Sequence, residues 1–523
     1  PEDVKIQPAC LLAGHVMQRP GHVDSTATPH QAYHIGLREH GIDDIDMGPI
    51  HAEHQAHDLL ATSPLKVSDR IVLPALVNAH DHARNLRSAT LGAWGQPLET
   101  WLPFLGVVPG VDPYVAAATS FCRSVRGGAT SVMVHYTRAQ GTCDWLEEAL
   151  AVAKAARDVG IRIGFAVAMR DRHFLAYADD SETLKALRPE IQEAVRERLW
   201  AKPLPAQEQV ARVRALAQAI ESDPSLAAHV SVQYGPTGVQ WCSDELLMCI
   251  AKASQEDQRP VHMHLLETRY QRAWADQTHR LGIVPHLDAI GLLSERLTLA
   301  HCTWARPGEV EVLAEKGVTV AVNTSSNLQL RSGLAPVAAM HRAGCRLAMG
   351  LDGLALDEDD DALREWRLLS MLHRGWGFED TLNDAQLWRM VAVNGRRSVL
   401  GLSKDQAKPG GLVQSGHAAD LMVLDRALLD EDDAIVAGVN PWHLIMARSN
   451  AQHIQSVVAM GRLVVCDRKV LGVQEIELRQ EYLSQLRHIM QSDSQWTAWK
   501  STLEAMSQDL KAWYQNHPWM GCC

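Results

Sequence analysis

The sequence predicts an α/β fold, a (β/α)8 TIM-type barrel with a small β-domain formed by the N- and C-terminal flanks. Three observations lead to this prediction. Short β-rich runs alternate with helical patterns from residue 71 to about residue 400, polar residues close most of these runs, and the later flank contains short strand-like segments with glycine turns. Alternating strands and helices are typical of a parallel sheet covered by helices.

Eight segments have the apolar composition of buried strands. They are Ile71–Ala79, Thr130–His135, Ile161–Met169, His229–Tyr234, Pro260–Leu265, Arg296–His301, Val318–Val322 and Arg346–Leu351. Helical patterns lie between them, for example Leu146–Val159 and Glu208–Glu221. Gly160 and Gly317 follow such patterns, at the position where a helix often ends in a left-handed residue. Eight strand–helix units are the number that closes a barrel of this type.

The chain outside the barrel is predicted to be organised differently. Residues Gly411–Leu424 and His453–Val470 look like short strands with turns, so we expect a small β-domain that part of residues 1–70 joins. Residues 1–70 carry many histidines with weak periodicity, a pattern that favours loops and edge strands over a second metal site. Apolar residues recur at helical spacing from Glu475 to Trp513, which predicts a C-terminal helical extension over residues 476–523.

The composition excludes several classes of function. The 523 residues carry a formal net charge of −12, which argues against a partner such as nucleic acid or an anionic membrane surface. No apolar run reaches the roughly 18 residues that a membrane span needs. A secretory signal pattern is absent from the N-terminus, and the ten cysteines form no CxxC pair. We therefore expect a reducing, cytoplasmic setting.

The segment Asn78-Ala79-His80-Asp81-His82 follows the first predicted strand. Residues two apart on a strand point to the same side, so His80 and His82 present two imidazoles side by side. The active site of a TIM barrel lies at the carboxyl ends of its strands. The polar residues that close or follow later strands are His135, Gln233, His264, Glu267, His301 and Asp352. Their convergence on one barrel mouth predicts a catalytic site.

Three imidazoles and one carboxylate in this group form a set of nitrogen and oxygen donors suited to Zn²⁺ or Fe²⁺. The ligand candidates are His80, His82, His264 and Asp352. A catalytic metal keeps one position open for water and lowers the pKa of that water to about 7. Glu267 is placed to move a proton without binding the metal, and His301 to orient or polarise the electrophile beside Asp352.

These motifs, in this order, resemble the amidohydrolase superfamily. Longer stretches are similar to its triazine hydrolase, guanine deaminase and S-adenosylhomocysteine deaminase branch. The stretches are Leu73–His82, Val261–Thr268, Leu299–Cys302, Ser326–Gly333, Met349–Gly353 and Ala418–Asp425. The resemblance covers roughly residues 70–470.

The resemblance implies a hydrolase barrel over residues 71–404 and a small β-sandwich over residues 1–70 and 405–475. It also implies a single metal ion, because His229–Tyr234 lacks the lysine that binuclear members carbamylate. The expected ion is divalent, Zn²⁺ in preference to Fe²⁺. The implied metal ligands are His80, His82, His264 and Asp352. Glu267 and His301 are the implied acid–base pair, with Asp352 beside them as a further catalytic group.

The expected reaction is hydrolysis of an amino-substituted N-heterocycle, of purine, pterin or triazine type, by a deaminase that uses a metal-activated water. Glu267 would pass the water's proton to a ring nitrogen while His301 and Asp352 stabilise the tetrahedral stage. Amide or urea hydrolysis and dechlorination at the same mononuclear site are the alternatives. A non-catalytic binding protein is disfavoured, because the chain has all six inferred site residues.

Several residues near strand ends are candidates for binding a small-molecule substrate. Arg170 and Arg172 could meet a carbonyl or carboxylate, or pair with nearby acids. Gln233 and His135 close strands, and Trp94 could stack on a ring or pack in the core. In addition, His262 is expected to pack beneath His264, and Asn327 to support the site from a loop. By analogy with the architecture we expect a homodimer or higher homo-oligomer.

Overall fold

The structure is a computed structural model that describes residues 9–38, 40–401, 409–432 and 438–517. The predicted boundary between residues 404 and 405 lies outside the described residues. So do the first eight residues of the predicted β-domain and residues 518–523 of the predicted helical extension.

The N-terminal flank forms strands where the sequence shows only weak periodicity. Its elements are β1 (Ala9–Ala13), β2 (His15–Arg19), β3 (His22–Ser25), β4 (Gln31–Arg38), β5 (Gly41–Pro49), the helix α1 (Ala52–His57) and β6 (Arg70–Pro74). Strands β1, β4 and β5 pair antiparallel in the order β1-β4-β5. Alternate side chains such as Leu11, Ile35 and Leu37 are buried, which explains why this segment folds as a sheet.

Eight parallel strands form the barrel. They are β7 (Leu76–Asp81), β8 (Ala129–Tyr136), β9 (Arg162–Met169), β10 (Val230–Pro236), β11 (Val261–Leu265), β12 (Leu297–His301), β13 (Thr319–Val322) and β14 (Arg346–Met349). The first and last strands meet where the amides of Leu351 and Asp352 donate to the carbonyl oxygen of His80, at 3.2 and 2.9 Å. The predicted α/β barrel is confirmed.

The predicted first strand, Ile71–Ala79, is two strands in two different sheets. Strand β6 belongs to the flanking sheet and β7 to the barrel. The change occurs at Pro74, which has no N–H to donate, and at Ala75, whose amide donates to the carbonyl oxygen of Asp420 at 2.9 Å. An apolar run buried on both sides gives no sign of this change in the sequence, so the prediction of a single strand was wrong.

Helices surround the barrel. They are α2 (Ser88–Leu91), α3 (Leu98–Trp101), α4 (Pro113–Arg126), α5 (Trp145–Val159), α6 (Asp180–Ala186), α7 (Pro189–Leu199), α8 (Ala206–Glu221), α9 (Pro224–Ala227), α10 (Asp244–Asp257), α11 (Arg269–Thr278), α12 (Ile283–Ala289), α13 (Pro307–Glu315), α14 (Thr324–Gln329), α15 (Val337–Ala343), α16 (Leu354–Asp357), α17 (Ala362–His373), α18 (Asp384–Trp388) and α19 (Asn394–Leu400). A short hairpin, β15 (Gly375–Trp376) and β16 (Glu379–Asp380), follows α17. Helix α5 shows why the ends fall where they do: Asp144 accepts the Leu146 amide, and Gly160 ends the helix at φ +90°.

The C-terminal flank completes the β-sandwich. Its elements are β17 (Leu421–Asp425), α20 (Arg426–Leu429), α21 (Pro441–Arg448), β18 (Ile454–Ala459), β19 (Arg462–Cys466) and β20 (Lys469–Val470). They form a sheet in the order β20-β19-β18-β17-β6-β2-β3. Val72, Val423 and Val458 from this sheet pack with Leu11 and Ile35 from the other. The predicted sandwich of both flanks is confirmed.

Two helices end the described chain, α22 (Glu475–Ser492) and α23 (Trp496–Asn516). Helix α23 lies against the segment that follows α3. The indole Nε1 atoms of Trp496 and Trp499 donate to the carbonyl oxygens of Val107 and Gly106, both at 2.9 Å. Helix α23 therefore packs at the barrel mouth, while Tyr482 of α22 packs against Ala116 of α4. Among the described helices, none has the length and hydropathy needed to cross a membrane.

Candidate active site

Four buried side chains converge at the carboxyl ends of the barrel strands. His80 lies in β7, His82 directly after it, His264 in β11 and Asp352 just beyond β14. One donor atom from each lies within 4.8 Å of all the others. Oδ1 of Asp352 lies 3.1 Å from Nε2 of both His80 and His82. The order of strands around the barrel is what brings residues 272 positions apart in the sequence together.

Hydrogen bonds orient the three imidazoles. Nδ1 of His82 donates to the carbonyl oxygen of His135 at 2.7 Å, and Nδ1 of His264 to that of Thr237 at 2.6 Å. Since a carbonyl only accepts, both rings carry their proton on Nδ1 and face each other through unprotonated Nε2 atoms. Nδ1 of His80 lies 2.7 Å from Nε2 of His262, so His262 supports the site from below.

The donor set fits a divalent cation. Nε2 of His80 and Oδ1 of Asp352 are buried and have no hydrogen bond of acceptable geometry, although they lie only 3.1 Å apart. The other oxygen of Asp352 accepts from Oγ of Ser326 at 2.6 Å. Buried polar atoms left without partners are costly. A metal ion among these four side chains would satisfy both of them.

The charge states also suit a cation. Burial lowers the pKa of His264 well below its usual value, and burial with Arg84 nearby lowers the pKa of His82 to about 3. Burial alone would raise the pKa of Asp352, but the neighbouring His80, His82 and His301 hold it well below its usual value. His82 and His264 are therefore neutral and Asp352 is ionised, the forms in which these groups bind metals.

Glu267 and His301 lie beside the ligand set. Nε2 of His301 is 3.7 Å from Oε2 of Glu267 and 3.7 Å from Oδ2 of Asp352. Burial raises the pKa of Glu267 well above its usual value, and the Asp352 and Glu99 carboxylates add to the shift. His301 and Asp352 have φ of +74° and +64°. Such strained backbone often occurs where a fold must hold side chains in a particular place.

A cavity of about 270 Å³ opens above these residues. Its floor includes His82, His264, Glu267 and Asp352. Its wall includes Arg84, Leu98, Glu99, Trp101, Arg138, Arg170, Tyr177, Trp241, Met506 and Tyr514. The last two belong to α23, so the C-terminal extension forms part of the cavity. The sequence predicts a C-terminal helical extension, but it does not indicate that α23 reaches the site.

A polar network crosses one wall. Oε1 of Glu99 accepts hydrogen bonds from the Tyr177 hydroxyl at 3.0 Å and from the Thr268 hydroxyl. Gln271 joins the network to the floor: its Nε2 donates to the Tyr177 hydroxyl at 3.3 Å, and its Oε1 accepts the Glu267 amide at 2.8 Å. Oε2 of Glu99 is buried without a hydrogen-bond partner. Because Glu99 lines the cavity, this oxygen is a candidate acceptor for a bound ligand.

Three arginines give the wall a basic side. Arg84 donates to the Thr137 hydroxyl at 2.7 Å, Arg138 to the carbonyl oxygen of Val108, and Arg170 to that of His173 at 2.9 Å. Burial lowers the pKa of Arg84 and of Arg170 to about 10. The sequence did not identify three of these wall residues, Glu99, Arg84 and Arg138. The only sequence signal was that Arg84 follows the His82 motif and Arg138 follows a strand end.

Of the five substrate-binding candidates, Arg170 lines the cavity and the other four do not. Gln233 lies inside the barrel, where its Nε2 donates to the Ser398 carbonyl oxygen at 2.7 Å. The side chain therefore contacts α19 inside the barrel and does not reach the cavity. Trp94 is 60% exposed on the surface.

The remaining two candidates have other partners. Arg172 donates to the carbonyl oxygen of Val239 at 3.2 Å and lies over the Trp274 ring. His135 is fully buried below the histidine cluster, and its Nε2 lies 3.0 Å from the Gly235 carbonyl oxygen. Each of these side chains contacts a backbone carbonyl oxygen, and the sequence pattern does not indicate such contacts.

Comparison with known proteins agrees with this geometry. Residues 71–464 match the model of the amidohydrolase family. The chain is 27% identical to a 5'-deoxyadenosine deaminase of Methanothermobacter thermautotrophicus, over 78% of this chain and 84% of that protein. It is also 27% identical to a 5-methylthioadenosine/S-adenosylhomocysteine deaminase of Syntrophobacter fumaroxidans, over 84% of this chain and 90% of the other.

Solved structures share the fold. An adenosine deaminase from Xanthomonas campestris with bound zinc superposes with a TM-score of 0.68 at 21% identity, covering 92% of this chain and 98% of that one. An atrazine chlorohydrolase from Arthrobacter aurescens TC1 complexed with zinc gives 0.67 at 19% identity, covering 91% and 98%. The family model spans most of the chain. The protein therefore belongs to the amidohydrolase family, and the predicted enzyme class, a hydrolase of non-peptide carbon–nitrogen bonds, is confirmed.

Proposed function

We propose that this protein is a metal-dependent deaminase that removes an exocyclic amino group from a purine-type heterocycle. The observation that carries the proposal is the convergence of the ligand set and the Glu267–His301 pair at the floor of one cavity. The names of the relatives, deaminases of adenosine compounds, favour a purine over a pterin or triazine.

A single Zn²⁺ ion is the cofactor we propose, with Fe²⁺ as the alternative. Its ligands would be His80, His82, His264 and Asp352. Three nitrogen donors and one oxygen donor suit zinc, and two of the similar solved structures contain it. When bound, such an ion supplies Lewis acidity and lowers the pKa of a water molecule to about 7.

The chain's own residues would then move the protons. Oε2 of Glu267 takes a proton from the attacking water and delivers it to a ring nitrogen of the substrate. Nε2 of His301 and the Asp352 carboxylate stabilise the tetrahedral stage by accepting hydrogen bonds from its O–H and N–H groups. Glu267 then carries the proton of the added hydroxyl to the amino group, which leaves as ammonia while the hydroxyl becomes the carbonyl of the product. The raised pKa of Glu267 suits a group that must both accept and return a proton.

The cavity wall supports a substrate with a polar substituent. Leu98, Trp101 and Trp241 provide apolar and aromatic surface for a ring. Oε2 of Glu99 can accept a hydrogen bond from a hydroxyl or amino group of the substituent. Of the substrate-binding residues predicted from sequence, Arg170 keeps that role in our proposal, together with Arg84 and Arg138.

Ammonia release tests this function. Metal-quantified protein is incubated with adenosine-type nucleosides, aminopurines, pterins and aminotriazines, and ammonia and the ring product are measured. Ammonia with conversion of the amino group to a carbonyl is the expected result. Chloride release, or an amine or carboxylate from acyclic amides, with all the amino heterocycles left unchanged would contradict deamination and establish one of the alternative reactions.

We further propose a cytoplasmic protein that forms a homodimer or higher homo-oligomer, by analogy with other enzymes of this architecture. Sedimentation of the full chain tests the oligomeric state. The division into residues 1–70 with 405–475, residues 71–404, and residues 476–523 is also our proposal. Limited proteolysis tests it, because domain boundaries fall in exposed, readily cleaved segments.

A further inference from the structure

A second pocket adjoins one wall of the active-site cavity. It has a volume of about 210 Å³, against about 270 Å³ for the cavity itself. The side chains of Arg170 and Phe174 line both spaces, so they stand between the cavity and the pocket. The catalytic proposal assigns no role to Phe174 or to this pocket.

The two side chains that separate the spaces contact each other. The guanidinium carbon of Arg170 lies 4.5 Å from the centroid of the Phe174 ring and 5.7 Å from that of Trp241. A guanidinium over an aromatic face is attracted by the electrons of the ring. Nη2 of Arg170 also donates to the carbonyl oxygen of His173 at 2.9 Å. Arg170 and Phe174 therefore form one partition, which we name the Arg170–Phe174 wall.

Hydrogen bonds hold the loop that carries this wall. The Arg170 amide donates to Oε1 of Gln209 at 3.1 Å, and Nε2 of Gln209 donates to the Arg170 carbonyl oxygen at 3.2 Å. On the other side of Phe174, the Leu175 amide donates to Oδ1 of Asp180 at 2.8 Å. Because the backbone is bonded on both sides of Phe174, the wall has a fixed place at the edge of the cavity.

The wall belongs to a part of the barrel mouth that carries none of the proposed reacting groups. Arg170 directly follows β9, which is two strands from β7 and two strands from β11 in the barrel order. The proposed metal ligands follow or lie in β7, β11 and β14. A substrate ring with its reacting carbon at that floor has its other ring positions facing the cavity walls, of which this is one.

The pocket behind the wall suits an apolar chain. Its apolar lining residues include Trp145, Val167, Pro203 and Leu204. The polar side chains that line it already have partners: Gln209 bonds the backbone of Arg170, and the guanidinium carbon of Arg212 lies 5.7 Å from the centroid of the Trp145 ring. Apolar surface of this kind gains free energy when it covers methylene groups.

We propose that the Arg170–Phe174 wall determines substrate specificity by limiting the length of the substituent on the substrate ring. This inference rests on the proposed function, because it concerns the substrate of the same site. The substrate class is then a purine-type heterocycle with a short substituent, such as a nucleoside without a long chain at its 5′ position. A longer chain meets Phe174 and does not reach the apolar pocket behind it.

Binding of adenines that carry a straight alkyl chain at N9, from methyl to octyl, tests this limit. Calorimetry uses the zinc-loaded full chain with Glu267→Gln as the parent, so that no ligand is consumed. Each methylene group that becomes buried lowers Kd about fourfold. In the parent, Kd should fall along the series until the chain reaches the wall and then stop falling. In Phe174→Ala on this background, the fall should continue to longer chains.

Three further variants control for a change in folding. Leu204→Trp added to Phe174→Ala fills the pocket and should return the length limit to that of the parent, which a misfolded protein would not do. Phe174→Leu, which keeps a smaller apolar side chain in the wall, should give an intermediate limit. Phe378→Ala, at a fully exposed phenylalanine outside the cavity, should leave the limit unchanged.

Two results overturn the proposal. One is the same length limit in the parent and in Phe174→Ala. The other is a Kd that falls along the whole series in the parent, because the chain then passes the wall or leaves through the cavity opening. Neither result bears on deamination, which ammonia release measures separately in the wild type. Failure of every alkyladenine to bind would overturn both this inference and the purine-type substrate.

Discussion

Nδ1 of His301 lies 2.9 Å from Oδ1 of Asn327. The amide oxygen can only accept, so this contact places the ring proton on Nδ1 and turns the unprotonated Nε2 toward Glu267 and Asp352. The tautomer of a catalytic histidine is set by the hydrogen bond that its other nitrogen makes. Asn327 is therefore a positioning residue that acts through His301.

Asn327→Ala should lower kcat/KM by about tenfold to a hundredfold with the metal content unchanged, the usual cost of losing a supporting hydrogen bond. The pH profile of kcat/KM should shift as well, since His301 loses a partner. Asn516→Ala, at the end of α23, is the control and should change neither. An unchanged pH profile would mean that Asn327 only packs against the site.

Glu267→Gln should keep the metal and lose activity by about 10² to 10⁴, because the amide retains the shape of the side chain and removes only the proton transfer. Activity and zinc content are measured on the same preparation. Glu295→Gln, at a surface carboxylate, serves as the control. Loss of zinc in Glu267→Gln would show that Glu267 is a ligand, contrary to its assigned role.

Glu99→Ala should weaken binding of substrates that carry a hydrogen-bond donor beyond the ring. The variant removes the acceptor Oε2, and the unmet donor costs about 1–3 kcal/mol. KM for a nucleoside should therefore rise, while KM for the corresponding free base changes much less. Steady-state kinetics on both substrates gives the comparison. Equal changes in the two KM values would mean that Glu99 only stabilises the cavity wall, through its hydrogen bonds with Tyr177 and Thr268.

Leu503→Ala tests the role of α23 at the barrel mouth. Leu503 is fully buried and packs near Gly106, where an added Cβ would meet its Cδ1 at 3.1 Å. The cavity created should cost about 2–5 kcal/mol of unfolding free energy, measured in urea. Leu281→Ala, at a residue 94% exposed, should change it by less than about 0.5 kcal/mol. A cost that small at Leu503 would mean that α23 is only loosely attached.

Asp420 should make stability depend on pH in the acid range. Burial alone would raise its pKa, but Arg162 and Arg396 outweigh burial and hold it at about 2, below the ordinary 3.8. The ionised Asp420 carboxylate therefore contributes about 2 kcal/mol to the free energy of unfolding. This contribution is present above pH 4 and is lost as the pH falls toward 2. Urea unfolding between pH 2 and pH 6 should show this loss in the wild type and much less of it in Asp420→Asn. If the free energy of unfolding depends on pH equally in the wild type and in Asp420→Asn, this role of Asp420 is contradicted.

Local signals explain why so much of the barrel could be predicted. Most of the eight barrel strands are apolar runs that polar residues close or follow, as in Val261–Leu265 with His264 and Glu267. These patterns depend on neighbouring residues, and the fold then brings the carboxyl ends of all strands to one mouth. The break at Pro74 was missed because both strands of the Ile71–Ala79 run are buried and apolar.

The sequence by itself determined the family, the barrel and the residues that could form a metal site, because each of these leaves a mark within a few positions of the chain. The tertiary structure decided the walls of the cavity. Trp499 bonds to Gly106 across 393 positions, and Glu99 joins Thr268 across 169. It also decided which of the predicted substrate-binding residues lines the cavity: Arg170 does, whereas Gln233 bonds to α19 inside the barrel. Such contacts depend on how distant elements pack, and no local pattern records them.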